Sequence, residues 1–182
     1  MGKIETPTLV MYTRRGFPPP FTPKDLDNLG PAFEGLMQMS VPEFFDSPGV
    51  KTLTKLGDGG LKSFCGFADR DVTILLALRD ALQHQCDMPA SDSWVTVQTP
   101  GGQKKLEVDE FISLLAATRP QLAESISDEV PGDASGKRIK KSVDRNLAWL
   151  DRVLEARAAG KLPAETRILG SVAGGESAWE RR

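Results

Sequence analysis

The amino-acid sequence predicts an α/β fold laid on parallel strands, and three observations carry the prediction. Residues 119–175 read as strand, helix, strand: an apolar run at 122–127, a long amphipathic pattern, and a second apolar run at 167–172. A crossover of that length joins neighbouring parallel strands, usually with right-handed sense. Short apolar runs at 8–13, 35–40 and 72–78 come earlier, separated by helical or turn-rich stretches, which is the order of an α/β protein. With 182 residues, 40% of them hydrophobic and 26% charged, the chain is long enough for one sizeable core, so a single domain over 1–182 is expected.

From the amino terminus, Leu9, Val10, Met11 and Tyr12 predict the first strand. Arg14, Arg15 and Gly16 follow, then Pro18, Pro19 and Pro20, a stiff connection over the surface. Residues 24–29 suit one or two helical turns, 35–40 a second strand, and Pro42 the start of a short helix over 41–45. Residues 47–60 read as turns, and Asp58, among Gly57, Gly59 and Gly60, as a loop residue. Residues 72–78 predict a third strand. Residues 94–98 and 104–108, joined through Thr99, Pro100, Gly101 and Gly102, predict a β-hairpin. Asp109 is placed to cap a helix carrying Phe111, Ile112, Leu114 and Leu115, which must end near Pro120.

The longest helix should begin at Ser135 as N-cap and end at Gly160, with Pro163 preventing continuation. Ile139, Val143, Leu147, Leu150 and Leu154 recur at helical spacing and form the stripe expected to face the core. At ~100° per residue, Arg138, Lys141, Arg145 and Arg152 gather into a basic arc on the opposite side, offset by Asp144, Asp151 and Glu155 on the neighbouring face. Asp128 and Glu129 stand at the carboxyl end of the strand at 122–127, and Gly174 and Gly175 follow the strand at 167–172. Functional groups of parallel sheets collect at those ends, so the four are expected to share an edge.

A net charge of −2 excludes a chain-wide basic field that draws in nucleic acid; such contact would have to come from the arc on the long helix. Cys65 and Cys86 are the two cysteines, and the first residues lack a signal-peptide pattern. A reducing, cytoplasmic setting is expected, with peripheral membrane association left open. The longest strongly apolar run, 72–78, is far short of the ~20 residues that span a bilayer. His84 and Cys86 offer fewer ligands than zinc requires, so no metal site is expected in this chain.

The run Lys141, Ser142, Val143, Asp144, Arg145, Asn146, Leu147, continuing to Trp149, Leu150 and Asp151, resembles the accessory branch of the queuine tRNA-ribosyltransferase, or tRNA-guanine transglycosylase, family. Its setting does too, with Asp128 ending a strand upstream and Ile168-Leu169-Gly170-Ser171-Val172-Ala173-Gly174-Gly175 downstream. The similarity takes in 6–22 and 66–80, covering most of the chain but only the amino-terminal part of what the family carries. It implies part of a (β/α)8 barrel with the hairpin as an insertion. Such barrels usually need ~250 residues, so the barrel is expected to be partial.

The resemblance further implies that Asp128 hydrogen-bonds the exchanged nucleobase, as a carboxylate accepting N–H donors can. It places Gly174 and Gly175 where the backbone comes close to that base. Ala173 stands where catalytic members carry a base-reading glutamine, and Asp58 lacks the serine that follows an aspartate there. The family's nucleophilic aspartate and the cysteine and histidine ligands of its zinc lie beyond the end of this chain. The implied function is a non-catalytic accessory subunit. It would form a heterodimer with the catalytic queuine tRNA-ribosyltransferase subunit and support exchange of guanine for queuine at the tRNA wobble position. The chain would meet tRNA indirectly, with queuine as a candidate ligand; apart from the resemblance, Arg138, Lys141 and Arg145 of the basic arc are the candidate contacts to a tRNA backbone. Two rivals are a stand-alone N-glycosidic enzyme using Asp128 and Glu129, whose adjacent side chains tend to point to opposite faces, and a ligand-free interaction domain.

Overall fold

The computed structural model describes residues 7–29, 35–83 and 88–181. Five strands, β1 (Met11–Tyr12), β2 (Leu36–Ser40), β3 (Thr73–Ala77), β6 (Leu122–Glu124) and β7 (Arg167–Leu169), form a parallel sheet in the order β1-β2-β3-β6-β7. A separate antiparallel hairpin, β4 (Trp94–Thr99) and β5 (Gly102–Glu107), is inserted between β3 and β6. The α/β fold with a parallel sheet, and the hairpin, are as the sequence predicts.

Strand alternation decides which side of the sheet is packed. Met37 pairs with Ile74 and Met39 with Leu76, and all four are buried, as is Ala123 opposite Leu76. Tyr12, Gln38, Thr73, Leu75 and Leu122 alternate with them on the other face and are only half-buried. Helices cover the first face. Parallel sheets ordinarily bury both.

The connections are short and helical. α1 (Pro23–Leu29) follows β1, and α2 (Val41–Phe44) leaves β2 directly with Pro42 in its first turn. Residues 47–60, expected as turns, lie within a chain of single helical turns over 45–64 that includes α3 (Val50–Leu53) and α4 (Gly60–Phe64). Leu53 and Leu61 there are fully buried against the core, which anchors a stretch that composition alone marks as loop. Gly60, at φ 49°, is required: a Cβ would lie 2.4 Å from the Thr118 carbonyl oxygen. Asp58, expected as a loop residue, lies instead in the 3-10 turns of Thr54–Gly59, where it is exposed and pairs with Arg119 at 3.3 Å.

α5 (Val108–Thr118) is capped by Glu107 rather than Asp109, because the Glu110 carboxylate accepts the Glu107 N–H at 3.1 Å in a capping box. Arg119, left-handed at φ 49°, ends it. Only 122–124 of the predicted 122–127 strand pairs with neighbours. Ser125 prolongs the contact by donating its N–H to the Leu169 carbonyl at 2.9 Å and accepting the Ser171 N–H on its hydroxyl.

α6 (Gly136–Ala158) joins β6 to β7 across 23 residues, with Ser135 as N-cap accepting the Arg138 N–H as predicted. Its phase differs from expectation. Of the expected stripe only Ile139 is buried, while Leu147 is 58% and Leu154 43% exposed. The buried face is Ile139, Ser142, Asn146, Trp149, Val153 and Ala156, roughly a quarter turn away at ~100° per residue. The reason is that Ser142 and Asn146 have their hydrogen bonds satisfied inside, and Trp149 brings the largest apolar surface.

Candidate functional site

The quarter-turn rotation places the basic arc beside the buried face of α6 instead of opposite it, and two of its arginines reach inward. Asp128, four residues past β6, is 1% exposed. Arg138 takes its carboxylate in a fork, Nη1 to Oδ2 at 2.7 Å and Nη2 to Oδ1 at 2.6 Å, and Arg145 Nη1 donates to Oδ2 at 2.9 Å. α6 also holds the backbone of the same residue: the Asp128 N–H donates to Asn146 Oδ1 at 2.6 Å, and the Ser142 hydroxyl donates to the Asp128 carbonyl. Four side chains of one helix thus fix one aspartate. Burial raises the Asp128 carboxyl pKa, but hydrogen bonds from Arg138 and Arg145, with their charges, outweigh it and hold the group below the usual carboxylate range.

The neighbouring cations are also paired. Arg145 Nε donates to Asp92 at 2.9 Å, Lys141 lies 3.8 Å from the same carboxylate, and Arg152 meets Asp109 at 2.6 Å. Asp92, held low by the Arg145 hydrogen bond and then by Lys141, sits just before the hairpin, and its carbonyl accepts the Trp149 indole N–H at 2.8 Å. On the other side of the β6 loop, Arg79 donates to the Ser127 carbonyl at 2.8 Å and to Glu129 at 2.9 Å. Asp128 and Glu129 therefore face different partners and do not converge on one point. Gly174 and Gly175, at φ 117° and 53°, approach the chain itself: a Cβ on Gly174 would lie 2.9 Å from the Arg181 side chain, and one on Gly175 3.3 Å from Ile139.

A second cluster, which the sequence did not single out, occupies the carboxyl ends of β1, β2 and β3. Arg14 and Arg15 after β1, Ser40 at the end of β2, Pro42 and Glu43 in α2, Asp80 and Gln83 after β3, and Gln98 and Pro100 of the hairpin line a cavity of about 370 Å³. Glu43 Oε1 accepts the Arg15 N–H at 2.7 Å, and the Tyr12 phenol donates to Asp80 at 3.1 Å. Burial, then Asp80, raises the phenol's pKa. Burial is also the main force raising the Glu43 carboxyl, against the opposing Arg15 N–H and the nearby Ser40. Even so, Ser40 Oγ and Glu43 Oε2 are both buried without a partner of hydrogen-bond geometry among the described residues. The sequence signal that could have found this cluster is the strand-end position of Ser40 and of the polar residues after 78.

Among the described residues no three His, Cys, Asp or Glu side chains form a group that could hold a metal ion. Burial, with Glu43 second, pushes the Cys65 thiol up to about 12, far from a ready thiolate. Zinc, implied by the wider resemblance, does not fit these residues; His84 and Cys86 lie outside the described ones. No helix of the described residues is long and apolar enough to cross a membrane.

Comparison with known proteins agrees with the geometry at the level of the family. Over 183 residues the chain is 32% identical to the queuine tRNA-ribosyltransferase accessory subunit 2 of Trichoplax adhaerens, covering 98% of this chain and 47% of that protein. The accessory subunit 2 of Ixodes scapularis is 29% identical, covering 94% and 43%. The Homo sapiens protein of the same name is 27% identical, covering 98% and 42%. The chain thus spans less than half the length of these relatives. The family model described as queuine tRNA-ribosyltransferase matches residues 1–182, and the chain belongs to that family.

Proposed function

We propose that this chain is the amino-terminal part of a non-catalytic accessory subunit of queuine tRNA-ribosyltransferase, pairing with a catalytic subunit that exchanges guanine for queuine at the tRNA wobble position. The observation that carries the non-catalytic reading is the state of Asp128, whose two carboxylate oxygens are taken by Arg138 and Arg145. Base binding at Asp128, with Gly174 and Gly175, would need both guanidinium groups to release it. The names of the relatives, each an accessory subunit 2, support the same reading.

The sheet is read as part of a (β/α)8 barrel. Two observations support this: the half-buried row Tyr12, Gln38 and Leu75, which would face a barrel interior, and the exposed apolar surface of Leu147, Leu154, Leu169 and Val172 around α6 and β7. A following strand and helix would pack there. Arg138, Lys141 and Arg145, each with an acidic partner, leave tRNA contact indirect.

The test is co-purification of the 182-residue chain with a catalytic transglycosylase subunit, followed by guanine exchange on tRNA. A stable complex with more activity than the catalytic subunit alone is expected. A soluble chain that neither binds the catalytic subunit nor alters exchange would overturn the accessory reading.

A further inference from the structure

We draw no further inference here: the strongest candidate, the apolar surface patch that Leu147 and Leu154 of α6 form with Leu169 and Val172 at the β7 edge, carries nothing beyond the partial barrel already proposed, because nothing in the structure shows what covers it.

Discussion

Asp128→Asn separates a structural carboxylate from a ligand-reading one. The side chain is 1% exposed and accepts three guanidinium hydrogen bonds of 2.6, 2.7 and 2.9 Å. The asparagine amide keeps one acceptor and turns an NH₂ toward a guanidinium, so at least the Arg138 Nη2 bond is left unmade, and Arg145, itself only 10% exposed, loses the charge that offsets its own. Breaking a buried pair by removing one partner costs about 3–5 kcal/mol. Arg138, at 33% exposed, can turn toward water and reduce the loss, so the lower end, about 3 kcal/mol, is expected. In a domain of this size each kcal/mol moves the melting point by about 2–4 °C, giving a drop of roughly 6–12 °C by circular dichroism. Arg138→Ala should cost less than Arg145→Ala, in the order of their exposure. A D128N protein that melts within about 2 °C of wild type would refute the reasoning, because the pair would then be contributing nothing measurable to the fold.

The pH dependence follows from the same pair. Because the Asp128 carboxyl is held below its ordinary range, its contribution is complete above the unfolded-state value of about 3.9 and is lost as pH falls through the lowered native value. The stability gap between wild type and D128N should stay flat from neutral pH to about 5 and close at lower pH; a gap that widens on acidification contradicts the assignment. On α6, Trp149→Ala should cost about 3–5 kcal/mol in urea unfolding, whereas Leu147→Lys in the 182-residue chain should fall within about 0.5 kcal/mol. A reversed order would restore the stripe that spacing suggests. In a Cys86→Ser background, Cys65 should resist iodoacetamide at pH 8 until the chain is unfolded, since its thiol is pushed up to about 12; alkylation of the native chain at the rate of a free thiol would contradict its burial.

Element type was legible where period and punctuation agreed: β2, β3, the hairpin and α6 with its Ser135 cap all follow from apolar runs and turn residues. Segment 45–64 was not, because Gly and Pro mark turns without saying whether a turn carries an anchor such as Leu53 or Leu61. The cap of α5 was missed by two residues because a capping box needs only Glu107 and Glu110 three apart, and Asp109 offered a more familiar cap.

The misread phase of α6 and the unforeseen pairing of Asp128 are one error with one cause. Counting apolar residues assigns the inward face to Leu147 and Leu154, and so sends Arg138 and Arg145 to solvent. That count treats Ser142 and Asn146 as surface residues, although a buried loop carbonyl and N–H at Asp128 need partners and α6 alone supplies both. Once those two polar residues face inward, the helix turns by about a quarter and Arg138 and Arg145 come to the edge of the core. A buried carboxylate there is tolerable because of them, and their burial is tolerable because of it. The position that resemblance assigns to a nucleobase is therefore filled, in this chain, by the chain's own cations.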